Sequence, residues 1–459
     1  MAVLWKYIKK QMLKYPTSTI SEGVRTFSYI EFINEVEKLS EKIKGEECCG
    51  AYCEKELNQA IVLLACISAG VIAVPVSSRY GDRHCNKILD SISPSCIASD
   101  VSGEVEFTAQ NEYGFILPKE QVSVIMCTSG TTGAPKGVML SETNLLANLK
   151  DIDNYFNIDC FDTIFISRPL YHCAVLTGEF LVSLVNGANI VFSSQKFDPL
   201  NIVRTINNKQ ITCFGGTPTI ISILAELSDR IQINLKKIVI SGECMSKSVG
   251  DRIRKAFPTA EIYHVYGLTE ASPRVSYLPP QFFSDYSDSV GIPLNSVKVK
   301  LLDDKGRKVK KNTPGILWIK GKNVMVGYYN AKKQTDLIIK NGWLCTKDVA
   351  FIDENGFLKI KGRSDDMIIR AGMNIYPQEI EAELKKDIRT REVLVYGVKS
   401  EGRETQIALR ISGKYKNTDE IKKLCIDYLP AFQVPTIIEL VDKIEKNGSG
   451  KIIRGEKSA

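Results

Sequence analysis

The sequence predicts an α/β protein: a large N-terminal part built on parallel sheets, a small β-subdomain, and a compact α+β unit at the C-terminal end. Three observations carry this. Up to about residue 365, short β-rich runs alternate with amphipathic stretches, the layout of parallel sheets with crossover helices. From Val297 the texture turns to short strands divided by Gly- and Asp-rich turns. A second change comes at Gly362-Arg363-Ser364-Asp365-Asp366. A chain of 459 residues is also too long for one ordinary core.

The elements follow in order. Leu4, Trp5, Ile8 and Met12 stand at helical spacing among four lysines, which predicts a surface helix packed through its apolar stripe. It lacks the apolar core of a signal peptide. The stretch Ala60–Val76 is interrupted by Ser68, Gly70 and Pro75 and is shorter than the ~20 residues a bilayer requires. It reads as a buried helix ending at Gly70, then a strand Val71–Val76. Val122–Cys127 is a buried strand. Ile164–Ser167, Asn189–Phe192, Ile211–Phe214, Lys237–Ser241 and Glu261–Val265 are strand-like, with helices Asn201–Asn208 and Thr219–Leu227 among them. Val297–Leu302, Ile316–Gly321 and Leu358–Lys361 make the β-subdomain. A helix from Pro377, strands Glu392–Val398 and Gln406–Ile411, and a helix Thr418–Leu429 complete the chain.

Composition excludes several classes. Hydrophobic content of 44% and charged content of 25% fit a soluble globular protein without a membrane span. The net charge of +7 comes from 60 basic and 53 acidic residues spread along the chain, so nucleic acid is not an expected partner. The 13 cysteines are scattered. Cys48, Cys49 and Cys53 lack CxxC spacing and a nearby histidine, which fits reduced thiols in a cytoplasmic protein better than a metal site.

The most informative run is Thr128-Ser129-Gly130-Thr131-Thr132-Gly133-Ala134-Pro135-Lys136-Gly137. Glycines let backbone N–H groups approach an anion, hydroxyls donate to phosphate oxygens, and the lysine adds a mobile charge. The P-loop pattern fails, because Lys136 follows Pro135 and precedes Gly137. The run resembles the phosphate loop of the adenylate-forming superfamily of acyl-CoA synthetases, adenylation domains and luciferases. Further motifs follow in that family's order. Tyr266-Gly267-Leu268-Thr269-Glu270 resembles its YGxTE motif, and Ser241-Gly242-Glu243 resembles the segment lining the adenine. Asp348 stands in Thr346-Lys347-Asp348, where the family usually has T-G-D. Gly362–Arg370 resembles the hinge motif, Gly372–Glu381 continues it, and Asn447-Gly448-Ser449-Gly450-Lys451 resembles the C-terminal lysine loop.

The resemblance implies a fold and a set of roles. Residues 1–364 would be an adenylation domain with a small β-barrel-like subdomain, and 365–459 a mobile α+β lid pivoting at Asp365. Thr128, Ser129, Gly130, Thr131, Thr132, Gly133 and Lys136 would hold the phosphates of ATP. Gly242 and Glu243 would line the adenine, with Tyr266 stacked on it and Gly267 beside it. Thr269 would reach a phosphate, and Glu270 would bind Mg²⁺. Asp348 would accept both ribose hydroxyls, and Arg363 would contact ribose and phosphate. Lys451 would span the carboxylate and the α-phosphate. Gly372 would border the channel for an incoming thiol. Thr269, Glu270, His172 and Lys451 would thus be the catalytic group; the alternative for His172 is a packed strand-end histidine.

The acid is read from the same resemblance. Arg168-Pro169-Leu170-Tyr171-His172-Cys173-Ala174 resembles the start of the acyl pocket. Cys173 stands where amino-acid-activating relatives carry an aspartate for the substrate ammonium, so an α-amino acid is not expected. Thr177, Gly215, Val239, Ser241, Val265 and Pro273 would line the remainder, with Gly215 and Val265 leaving room for an aryl or medium acyl acid. Arg274 either faces a polar substituent or lies outside. Three functions stay open: an acid–CoA ligase, a stand-alone enzyme that loads a carrier protein, and a nucleotide-binding partner protein without catalysis.

Overall fold

Helix Glu56–Ala69 is apolar all round, and a helix of that kind must be covered on every side. In the computed structural model it lies between two sheets, against strand Thr19–Glu22 of one and strands Cys48–Tyr52 and Ile72–Pro75 of the other. It ends at Gly70, whose φ of +76° suits a residue without a Cβ, and strand Ile72–Pro75 follows. Helix Val3–Met12 buries Leu4, Trp5, Ile8 and Met12 against it, as the spacing predicts. The structure describes residues 2–101, 103–110, 114–128, 135–194, 198–370, 373–398 and 405–445.

Among the described residues, the first sheet has nine strands. Its six central strands are parallel: Thr19–Glu22, Asn189–Phe192, Thr163–Ile166, Cys213–Gly216, Lys237–Ile240 and Glu261–Gly267. Arg25–Ser28 caps one edge, and Arg274–Leu278 with Ile292–Pro293 caps the other, all antiparallel. The second sheet has seven strands, with Cys96–Val101, Cys48–Tyr52, Ile72–Pro75 and Val124–Thr128 parallel at its centre. Val124–Thr128 pairs antiparallel with Lys136–Leu140, so Thr128 and Lys136, near the two ends of the phosphate-loop run, stand opposite each other.

A five-stranded antiparallel sheet holds Lys298–Leu302, Gly315–Lys320, Trp343–Ile352, Ile339–Lys340 and Leu358–Arg363. Beyond it, strands Thr390–Val398, Gln406–Gly413 and Ile437–Leu440 pack on helices Pro377–Leu384 and Thr418–Tyr428. This last unit has a core of its own, with Ile380, Leu384, Val393, Val395, Ile407 and Leu409 at its centre. Of the thirteen cysteines, ten are buried, Cys160 and Cys345 are half-buried, and Cys244 is exposed. No helix among the described residues is long and apolar enough to cross a membrane.

Candidate active site

Strand Glu261–Gly267 delivers Tyr266 and Gly267 to the end of the first sheet, and a single 3₁₀ turn, Thr269–Ala271, follows. Gly267 has a steric reason. A Cβ there would lie 2.0 Å from the Pro273 carbonyl oxygen, so the chain can double back only without a side chain. The return strand begins at Arg274 and pairs it with Gly267.

Tyr266 donates its hydroxyl proton to Asp348 Oδ2. Asp348 lies on strand Trp343–Ile352, opposite Arg363 of the neighbouring strand, and Arg363 Nη1 stands 3.4 Å from Asp348 Oδ1. The Asp348 N–H donates to Thr346 Oγ1 at 3.0 Å, and that hydroxyl donates to the Leu317 carbonyl at 2.9 Å. Asp348 is 8% exposed. Burial raises its pKa, while the Arg363 charge and the Tyr266 hydrogen bond oppose that. Thus one carboxylate, one guanidinium and one phenol from three strands meet at a point, and the carboxylate keeps lone pairs for a diol.

Lys347, where the family usually has glycine, sits at φ +62°. A residue with a Cβ thus holds a left-handed backbone here, a conformation that favours glycine. The Lys347 carbonyl accepts the Ser364 N–H at 2.8 Å, and its ammonium pairs with Asp365 at 3.0 Å.

Glu270 Oε1 accepts a hydrogen bond from the Tyr328 hydroxyl at 2.8 Å. The Lys136 ammonium lies 5.5 Å from the centre of the same Tyr328 ring. Tyr328 thus ties the Lys136 end of the phosphate-loop run to the carboxylate expected to bind Mg²⁺. Sequence reading missed it because it sits 58 residues along the chain from Glu270. Thr269 is half-buried. Gly242 has φ +97°, and the Glu243 carboxylate accepts from Thr219 at 2.8 Å. Ser129, Gly130, Thr131, Thr132, Gly133, Gly372 and Lys451 lie outside the described residues.

On the acyl side, His172 Nε2 is hydrogen-bonded to the Tyr80 hydroxyl, with the rings edge to face. The Leu170 N–H two residues before it donates to buried Glu56 at 3.0 Å. Cys173 opens a short helical turn and is buried, which pushes its thiol up to about 12. Thr177 lies on the following π-helical stretch, Leu176–Leu181. Val239, Ser241, Val265 and Pro273 are buried.

Two findings change the expected pocket. Gly215 does not open it as its missing side chain implied, because Glu179 fills the space. A Cβ on Gly215 would lie 2.5 Å from Glu179 Oε1. Glu179 is 1% exposed and is held there by an ion pair with Arg168. Arg274 is buried, at 2% exposure, and packs against Gly178 of the π-helical stretch. The lining is also less apolar than expected: Ser241 Oγ, Glu179 Oε2, and Nε and Nη2 of Arg274 are buried without a hydrogen-bond partner.

The profile of the AMP-binding enzymes matches residues 8–329. The chain belongs to the AMP-binding enzyme family. A long-chain-fatty-acid–CoA ligase of Yersinia pestis is 32% identical over 337 residues, covering 72% of this chain and 60% of the relative. A mitochondrial medium-chain acyl-CoA ligase of Mus musculus is 33% identical over 342 residues, covering 72% and 55%. This AMP-binding enzyme therefore spans about three-fifths of the length of the curated relatives it matches. Among solved structures, o-succinylbenzoate CoA synthetase of Bacillus subtilis with its acyl-adenylate intermediate superposes with a TM-score of 0.85 at 23% identity, covering 97% of this chain and 96% of that one. ATP-bound MatB of Rhodopseudomonas palustris gives 0.83 at 21% identity, covering 97% of each. Both share the fold of this AMP-binding enzyme.

Proposed function

We propose that this chain activates a carboxylic acid with ATP and passes the acyl group to a thiol, with coenzyme A as the acceptor. The convergence of Tyr266, Asp348 and Arg363 beside Glu270 is the observation that carries this reading. It brings a diol acceptor, a cation and a hard oxygen ligand to one sheet end, which is the donor set a magnesium nucleotide needs.

A carboxylate is a poor electrophile. Attack of its oxygen on the α-phosphorus of ATP forms an acyl-phosphate bond, breaks the α–β bridge and releases pyrophosphate. Residues 128–137 would hold the departing phosphates, with Lys136 as a mobile charge. Glu270 would ligate Mg²⁺, which supplies charge neutralisation when bound. Gly242, Glu243 and Tyr266 would hold the adenine, Asp348 and Arg363 the ribose. Thr269 and Lys451 would reach the reacting phosphate, and His172 would border the carboxylate. No nucleophilic side chain is needed, so catalysis would be positioning and electrostatics. A thiolate then attacks the carbonyl and AMP leaves.

Three observations support the finer assignments. Buried Cys173 cannot neutralise an ammonium, which argues against an α-amino acid. The modest side chains of Val239 and Val265, with Glu179 filling the space at Gly215, favour an aryl or medium acyl group. The Gly372–Pro377 segment, together with relatives named as CoA ligases, favours coenzyme A over a carrier protein. The separate core of residues beyond Ile368 supports a lid spanning 365–459 on an adenylation domain spanning 1–364.

ATP–pyrophosphate exchange over a panel of acids tests this, followed by thioester formation with coenzyme A or carrier protein. Exchange should require Mg²⁺ and fall by about three orders of magnitude in Lys451→Ala, the scale of losing a key electrostatic group. Exchange that survives this change unaltered would sink the mechanism.

A further inference from the structure

Arg274 is a buried cation without an ion-pair partner among the described residues. Among the described residues no carboxylate lies within 4.0 Å of its nitrogens, although it is only 2% exposed. Its Nε and Nη2 have no hydrogen-bond partner. The Tyr155 hydroxyl lies beside the guanidinium, but a neutral phenol cannot cancel its charge. Burying such a group unpaired is costly, and a native structure retains the cost where the group serves a ligand.

We infer that Arg274 binds a second carboxylate on the acid that this site activates, which makes the substrate a dicarboxylic acid. The inference rests on the carboxylate activation proposed above and names its substrate class. Nε and Nη2 form the side-on edge of a guanidinium, with two parallel N–H bonds. That edge matches the two oxygens of a carboxylate. Glu179, the nearest candidate counter-ion in the pocket wall, is already committed to Arg168, so those two charges cancel and the Arg274 charge remains. The guanidinium lies flat on Gly178, where a Cβ would come 2.7 Å from Nη2. Gly178 belongs to the π-helical stretch Leu176–Leu181, an uncommon backbone form that recurs at functional sites. The Cys173 thiol feels both Arg274 and Glu270, so the guanidinium is close to the metal-ligand end of the pocket. One carboxylate of the acid meets the α-phosphorus and the other meets Arg274. Glu179 packs over Gly215, so a second charged group lines the same stretch.

The test is ATP–pyrophosphate exchange with matched pairs: butyrate and succinate, hexanoate and adipate, octanoate and suberate, benzoate and phthalate. The wild type should prefer the dicarboxylate of at least one pair by roughly ten- to a hundredfold in kcat/KM, the range of a charge-assisted hydrogen bond pair. Arg274→Leu should abolish that preference, and Arg274→Lys should keep part of it. Thermal unfolding gives a second readout. Arg274→Leu should melt at or above the wild-type midpoint, because an apolar side chain relieves an unpaired buried charge. The preferred dicarboxylate with AMP should raise the wild-type midpoint and not that of Arg274→Leu. A wild-type preference for the monocarboxylate in every pair overturns the inference while leaving carboxylate activation standing. So does a dicarboxylate preference that survives in Arg274→Leu, or in Arg274→Lys and Arg274→Gln should the leucine variant fail to fold. No exchange with any acid overturns carboxylate activation itself, and this inference with it.

Discussion

Glu56 is buried beneath the loop that carries Leu170 and His172, and its carboxylate accepts the Leu170 N–H. Burial pushes its pKa up to about 7 from the ordinary 4.5, against the pull of Arg79. A carboxyl that is raised on folding holds its proton more tightly in the native state. Its contribution to stability is therefore complete below pH 4.5 and lost as the pH rises towards 7. Glu56→Gln should flatten the fall in melting temperature over that interval, measured by calorimetry across a pH series. His264 works in the opposite sense. Burial lowers it to about 4 from 6.5, so its contribution is present above 6.5 and is lost as the pH falls towards 4. Single residues were legible in the sequence where a short motif marked them, as at Tyr266, Glu270 and Asp348. Tyr328 and Glu179 carried no such mark. They meet Glu270 and Arg168 in space from 58 and eleven residues away. A lone Tyr or Glu has no local pattern that announces this.

Elements were read best where their periodicity was strong. Strands Ile72–Pro75, Val124–Thr128, Thr163–Ile166, Asn189–Phe192, Cys213–Gly216, Lys237–Ile240 and Glu261–Gly267 and helix Glu56–Ala69 stand within a few residues of their expected positions. Strands Thr19–Glu22, Arg25–Ser28, Cys48–Tyr52, Cys96–Val101 and Glu104–Ala109 were missed. They are short or mostly exposed, so little apolar alternation betrays them. On strand Trp343–Ile352, Lys347 takes a left-handed backbone that costs a residue with a Cβ about 1–2 kcal/mol. Its exposed ion pair with Asp365 returns at most about 1 kcal/mol. Lys347→Gly should therefore raise stability by up to about 1 kcal/mol, read as a higher urea midpoint with unchanged slope. A drop instead would mean that the ion pair outweighs the backbone strain.

At the scale of the whole molecule, the two large sheets share one core around helix Glu56–Ala69, while the residues beyond Ile368 gather around another. The composition shift near Gly362 lies at this division, whereas the one near Val297 does not, because the strands from Val297 to Leu358 join the main core. The angle at which the parts meet was not legible in the sequence, because it depends on a few polar contacts such as Lys361 with Glu379 at 2.6 Å. If Asp365 is the pivot, fixing its φ should separate the two half-reactions. Asp365→Pro should keep pyrophosphate exchange within about threefold of wild type, while thioester formation falls by more than about tenfold in single-turnover assays. Equal losses in both steps would place the pivot elsewhere.

The distribution of the thiols has a practical consequence. Ten of the thirteen are sealed in the interior, and the exposed one, Cys244, directly follows Gly242 and Glu243. A maleimide dye added to the native protein should attach first at Cys244, confirmed by its loss in Cys244→Ser and by peptide mass. The unmodified sequence thus carries its own fluorescent reporter position at the rim of the expected adenine pocket, and nucleotide occupancy could be followed optically without engineering a cysteine.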